Sequence, residues 1–207
     1  MLVRERMISP GKWIAPSLPI SAVIDNYKQT CPNWMPVVDP EGRLVGLILG
    51  SDVEKAEEAV AALGEGDENK YTAQDFMTTK YISVGEKTPV EEAVRIMIDY
   101  DLSELPVVKD GFFSGVITEK IMLRVLMEIT GARKQGVRLM VEVENKAGEL
   151  LNLLQMIREQ NGVVEGICTY CAHENEYQIV TMRVEGVDKY SLKQAVRNMG
   201  YRVIDIR

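Results

Sequence analysis

The sequence predicts an α+β chain of three modules: two copies of an α/β sandwich-type unit, then a third unit of order β-α-β-β-α-β. Three observations predict this. Matching residues recur at an offset of 70, with Met7 and Met77, Pro19 and Pro89, Pro36 and Pro106, Val37 and Val107, and Val38 and Val108 as pairs. Inside each repeat an amphipathic helix precedes two short apolar strands joined by a Gly-bearing turn. The last third drops this pattern for strict alternation and two new helical faces.

The repeat elements follow in order. Copy one carries Met35-Pro36-Val37-Val38, a turn at Asp39-Pro40-Glu41-Gly42, and Leu44-Val45-Gly46-Leu47-Ile48. Copy two carries Leu105-Pro106-Val107-Val108, a turn at Asp110-Gly111, and Ser114-Gly115-Val116-Ile117. One residue is lost in the turn, after which Gly42 matches Gly111 and Gly46 matches Gly115. The first helix of copy two opens on Thr88-Pro89-Val90-Glu91, a capping-box pattern with proline at the first helical position. Val90, Ala93, Val94, Met97 and Ile98 form its apolar face. The last helix of copy one is expected from a second capping box, Ser51-Asp52-Val53-Glu54, to a stop at Gly64. That of copy two is expected from Thr118-Glu119 to Gly131. The polar stretch from Gly64 to Lys70 links the copies.

In the tail, Val137, Leu139, Val141 and Val143 alternate as in a strand. Leu150, Leu151, Leu153, Leu154 and Ile157 give a broad helical face that ends at Asn161-Gly162. Strands are expected at about 163–170 and 177–184. Asp188 caps a helix bearing Leu192, Ala195, Val196 and Met199, Gly200 stops it, and Val203, Ile204 and Ile206 form the final strand. This is the ferredoxin-like arrangement. The expected modules are 1–66, 67–131 and 132–207.

Composition narrows the function. The chain has 207 residues, 46% of them hydrophobic, so a core forms without disulfides or metals. A net charge of −7 and the lack of any Lys/Arg run argue against nucleic-acid binding. No apolar stretch approaches the ~20 residues that span a bilayer, and charges crowd the first six residues where a signal peptide is apolar. Three cysteines, Cys31, Cys168 and Cys171, make no disulfide framework, so a reducing, cytoplasmic setting is expected. Cys168, Cys171 and His173 lack the spacing for covalent haem and the fourth ligand for zinc, so no metal site is assigned. A site shared between two chains remains the alternative. No phosphate-cradling glycine loop and no nucleophile–base pairing stands out, so no catalytic residue and no catalytic cofactor is assigned.

The duplicated Pro-Val-Val and Gly-apolar-Ile segments, over about residues 1–131, resemble the CBS (cystathionine-beta-synthase-type) domain. The resemblance implies two copies packed as one pseudo-symmetric unit with an adenosine nucleotide (AMP, ADP or ATP-like) between them. In that family Gly-apolar-x-Ser/Thr-x-x-Asp/Asn runs into a helix, the hydroxyl meeting phosphate and the acid the ribose. Glycine admits close backbone approach, and the helix N-terminus suits an anion. Copy one keeps the acid, Asp52, but has Leu49 for the hydroxyl. Copy two keeps Thr118 but has Ile121 for the acid, with Lys120 or Arg124 as added charge. The resemblance places the adenine pocket at Trp13-Ile14-Ala15 and Tyr81-Ile82-Ser83, with Met35, Leu105 and Pro106 as walls. The same residues also have plain readings: Thr118 and Ser51 as helix caps, Trp13 and Tyr81 as core.

The tail resembles the ACT domain over about residues 136–207, on Glu144-Asn145-Lys146-Ala147-Gly148-Glu149-Leu150. The family pattern Asp/Asn-x-Pro-Gly-x-Leu is met by Asn145, Gly148 and Leu150, with Ala147 in place of proline. The resemblance implies an amino acid held by Asn145, Ala147, Gly148, Glu149 and Leu150 at an interface between two such modules. The alternative is a plain strand-to-helix turn. The order CBS–CBS–ACT is similar to the acetoin-utilisation regulatory protein family. A non-enzymatic sensor for an unknown regulated protein is therefore expected, a homodimer through the apolar helix Ile121–Met127. A scaffold with degenerate small-molecule sites is the rival.

Overall fold

The computed structural model describes residues 1–9, 12–30, 32–62, 70–172 and 176–207. It divides into two compact units, Met1–Met122 and Leu123–Arg207. The expected stop at Gly64, the 66/67 boundary, Cys31 and His173 lie outside the described residues.

Copy one contains α1 (Ile20–Thr30), β1 (Trp34–Val38), β2 (Leu44–Leu49) and α2 (Gly50–Ala61). A single turn, α3 (Ala73–Phe76), precedes β3 (Val84–Gly85), α4 (Val90–Asp99), β4 (Glu104–Lys109), β5 (Phe112–Thr118) and α5 (Glu119–Ile129) of copy two. Both hairpins are antiparallel and bulge at the same repeat position, Val37/Val38 and Val107/Val108. The Asp110-Gly111 turn has positive φ at both residues (52° and 86°), as a tight two-residue hairpin loop requires.

The duplication reappears as a set of paired contacts. Leu2 bridges Pro89, and its repeat mate Thr72 bridges Pro19. Ile8 bridges Val116, and Thr78 bridges Leu47. Ile14 runs parallel to Val37 as Val84 does to Val107. Arg43 pairs with its own repeat mate, Phe112, with its guanidinium 4.9 Å from the ring centroid. Such reciprocity describes a pseudo-twofold pair in which each copy lends its leading segment to the other. Tyr71, Ala73, Phe76 and Met77 thus join the copy-one core of Ile20, Val23, Val37, Ile48 and Val53. In return Val3, fully buried, donates its N–H to Thr88 O, and Val90 N–H donates to Met1 O.

This exchange explains the repeated glycines Gly46 and Gly115. A Cβ on Gly115 would lie 2.2 Å from Ile8 O, and one on Gly46 would lie 2.7 Å from Met77 Sδ. Their small size admits the crossing chain, where close approach of a ligand was expected.

Local competition also changes both expected capping boxes. α2 begins at Gly50, one residue before Ser51, and Asp52 Oδ2 accepts from Leu49 N–H at 3.0 Å. Ser51 caps nothing there. Thr88 Oγ1 accepts from Gly85 N–H, so α4 starts after Pro89 with no side-chain cap. Val90, Ala93 and Met97 of α4 are buried as expected, whereas Ile98 is 73% exposed.

The second unit holds β6 (Val137–Glu144), α6 (Glu149–Glu159), β7 (Val163–Ala172), β8 (Tyr177–Glu185), α7 (Lys189–Asn198) and β9 (Arg202–Ile206). Its sheet order is β7-β8-β6-β9, fully antiparallel, the ferredoxin-like topology. Leu139, Val141, Leu153, Ile157, Leu192 and Val196 form its core. Asp188 caps α7 through Oδ1, which accepts from the N–H groups of Tyr190 and Ser191, and Gly200 follows α7 at φ 80°. Among the described residues no helix is long and apolar enough to cross a membrane.

Candidate functional site

Two adjoining hollows of about 520 and 210 Å³ open in the first unit and share Lys12, Pro32, Trp34 and Pro36 in their walls. The larger is walled by Trp13, Ile14, Ala15, Leu18 and Met35 from copy one. The smaller adds Ile8, Ser9, Glu104, Phe113, Val116 and Thr118, mostly from copy two. Strand geometry creates this meeting. Ile14 lies parallel to Val37, which turns Trp13 outward at the rim, 51% exposed. The Ile8–Val116 bridge lays the start of copy one over β5, the strand that ends at Thr118.

The structure therefore brings Ile14, Ala15 and Met35 together with Thr118, residues that the sequence places in different copies. Thr118 is half-buried, and its Oγ1 accepts from Ile121 N–H at 3.4 Å, a long cap that leaves the hydroxyl proton free to point elsewhere. Lys120 is exposed and lines neither hollow, while Arg124 lines a different one with Met127, Gly131 and Arg133.

The other predicted nucleotide residues lie elsewhere. Leu105 is fully buried and Pro106 is buried beside it in β4. Tyr81 packs on Val38, Leu44 and Leu47, donates its hydroxyl to Leu44 O at 2.7 Å, and has its phenol pKa pushed up by burial. Ile82 is half-buried beside it. Asp52 is 4% exposed, and its Oδ2 accepts from both Leu49 N–H and Thr78 Oγ1, each at 3.0 Å. Its Oδ1 is 3.6 Å from Lys55 Nζ. In this conformation the Asp52 carboxylate serves the protein's own donors.

Sequence reasoning missed Lys12, Trp34 and Glu104. Glu104 pairs with Thr118 across the β4–β5 ladder, so both reach the same hollow. Burial pushes the Glu104 carboxyl above its ordinary range, partly offset by a side-chain hydrogen bond with Asn33. Because the folded value is raised, the stability linked to this group is present below the ordinary carboxylate pKa and is lost as pH rises through the raised value. Glu104→Gln is therefore expected to melt above the parent protein near neutral pH, with the gap closing in acid. Melting curves across pH 4 to 8, a window of roughly the ordinary carboxylate range upward, check this. A constant gap at every pH would contradict it.

In the second unit, Asn145, Ala147 and Gly148 stand exposed on the β6–α6 turn. Gly148 holds φ 97° at the α6 N-cap, a left-handed backbone that favours glycine. Leu150 packs against the core. Glu149 accepts a hydrogen bond from Tyr201, whose phenol pKa is raised by burial first and by that bond second. Glu149 alone of the five lines a hollow of about 590 Å³ with Glu142, Glu144, Tyr177, Tyr201 and Arg202. Among the described residues no group of His, Cys, Asp or Glu has the arrangement to hold a metal.

The CBS domain profile matches residues 3–58 and 73–128, more than half the chain. This chain belongs to the CBS-domain family. A TTHA0829-like ACT domain profile matches residues 135–207 behind the CBS pair. L-aspartate semialdehyde sulfurtransferase of Methanocaldococcus jannaschii is 36% identical over 93 residues, which are 44% of this chain and 16% of that enzyme. The chain spans 16% to 51% of the length of the first curated relatives it matches. Among solved structures, an acetoin utilization protein (AcuB) from Vibrio cholerae superposes with a TM-score of 0.54 at 17% identity, over 65% of this chain and 96% of that one. CBSX2, solved in complex with AMP, superposes with a TM-score of 0.52 at 22% identity, over 62% and 97%. At these identities the likeness is one of fold.

Proposed function

We propose that this CBS–CBS–ACT chain is a non-enzymatic ligand sensor. An adenosine nucleotide binds in the hollow between the CBS copies, an amino acid binds at the ACT domain, and a regulated partner reads the resulting conformational change. One observation carries the reading: the hollow walled by Trp13, Ile14, Ala15 and Met35 of one copy shares Lys12, Pro32, Trp34 and Pro36 with the hollow walled by Thr118 of the other. An apolar, aromatic-rimmed hollow suits a purine, and a hydroxyl at a helix start suits the phosphate end. The complex of CBSX2 with AMP is a property of that protein and adds only the precedent of a shared fold. Tyr81, Ile82, Leu105, Pro106 and Asp52 would form the mate of this site, and in the present conformation they are largely committed to the core. Lys120 would approach the ligand only by swinging from the helix surface.

The amino-acid site is proposed at Asn145, Ala147, Gly148, Glu149 and Leu150, completed by a second ACT domain. Leu123 and Leu126, 63% and 51% exposed on α5, support a homodimer. The setting is read as cytoplasmic, with module boundaries at 66/67 and 131/132. Sensing requires that each ligand favour one of two arrangements.

The committed state of Tyr81 and Asp52 favours a second reading, a protein-interaction scaffold whose small-molecule sites have decayed. A thermal-shift panel of adenosine nucleotides, S-adenosylmethionine and amino acids separates the two. At 100 times its dissociation constant a ligand adds about 2.7 kcal/mol, so a clear rise in melting temperature is expected. Thr118→Val is expected to abolish the nucleotide-induced rise while leaving the unliganded stability within about 1 kcal/mol. No rise with any compound would establish the scaffold.

A further inference from the structure

We propose that Glu104 sets the charge class of the ligand: the cleft admits an adenosine compound whose 5′ substituent is neutral, cationic or at most singly phosphorylated, and turns away di- and triphosphates. The inference rests on the sensor reading above and deepens it.

Thr118 marks the end of the cleft where a 5′ substituent would lie. Glu104 stands directly opposite on the neighbouring strand and shares that hollow. Among the described residues it is the one carboxylate in the walls of the two hollows, and Lys12 is the one cation. Lys12 is exposed on a flexible stem, whereas Glu104 is half-buried and bonded to Asn33. Opposed charges therefore face the ligand unequally. The fixed one is negative and half-buried, where Coulomb interactions are stronger than in water. Each further phosphate adds repulsion at that point, and a cationic group gains attraction. The charged residues at the start of α5, Glu119 and Lys120, are both exposed and oppose each other.

The test is calorimetric titration of the full chain with adenosine, AMP, ATP and S-adenosylmethionine, whose sulfonium places a positive charge at the 5′ position. The parent protein is expected to bind ATP at least tenfold more weakly than S-adenosylmethionine. Glu104→Gln should narrow that ratio to within threefold, and Glu104→Asp, which keeps the charge, should preserve most of it. Melting curves of both variants establish that they fold. ATP bound by the parent as tightly as S-adenosylmethionine, or a ratio unmoved in Glu104→Gln, overturns the role of Glu104 and leaves the sensor reading standing. Failure of the parent to bind any of the four overturns both.

Discussion

Gly115→Ala will destabilise the first unit by about 1–3 kcal/mol, the usual range for overpacking a filled site. The added methyl group meets Ile8 O at 2.2 Å, a backbone atom rather than the far end of a side chain. That backbone cannot easily retreat. Ile8 N–H donates to Val116 O at 2.9 Å and Val116 N–H donates back to Ile8 O at 3.0 Å, so movement sacrifices two hydrogen bonds. The repeat mate provides the control. At Gly46 the nearest atom is Met77 Sδ at 2.7 Å, in a side chain that can rotate, and the next are Met77 Cγ and Cβ. Gly46→Ala should therefore cost clearly less. Urea unfolding of both variants checks the ordering. Equal losses would mean that the crossing segments are not what requires glycine at these positions.

The same pair of glycines shows where legibility in the sequence stops. The duplication was readable because proline, valine and glycine recur in order, and the hairpins followed from their turns. The exchange of leading segments was not readable, because Leu2, Ile8, Thr72 and Thr78 carry no local signal for a partner in the opposite copy. Only the tertiary pairing chooses it. That choice also displaced the expected caps. Thr88 had an ordinary capping-box pattern, but Met1 O supplies the acceptor for Val90 N–H, and the Thr88 hydroxyl turns to Gly85. In the second unit the Asp188 carboxylate accepts from Tyr190 and Ser191 N–H, and the cap formed where the sequence placed it.

The candidate cleft was half legible for a related reason. Ile14, Ala15, Met35 and Thr118 were named from two separate copies, and the fold joined them. Glu104 was legible from the sequence up to one step. Counting back from the Asp110-Gly111 turn, with one residue allowed for the bulge, sets it opposite Thr118. The bulge was the unreadable step. Tyr81 and Leu105 could not be sorted from cleft residues by type alone, since an aromatic or leucine beside a strand suits either a pocket wall or a core.

Asp52→Ala will lower stability by about 2–4 kcal/mol, because two donors lose a charged acceptor in a buried place. Asp52 Oδ2 ties the start of α2, through Leu49 N–H, to Thr78 in the segment that copy two lends to copy one. It thus holds the exchange closed from the side opposite Gly115. Thr78→Val removes one of the two bonds and should cost less. The double variant should cost less than the sum, since the two residues share one contact. Strict additivity would show that the Thr78 bond contributes nothing to the exchange. The same variants decide between two roles for this carboxylate. If Asp52 acts within the fold alone, Thr78→Val and Asp52→Asn shift the melting midpoint and leave nucleotide affinity unchanged. A loss of affinity in Asp52→Asn at temperatures where it is fully folded would instead assign the carboxylate to a ligand. Thr78 would then be the resting partner that the ribose hydroxyls displace.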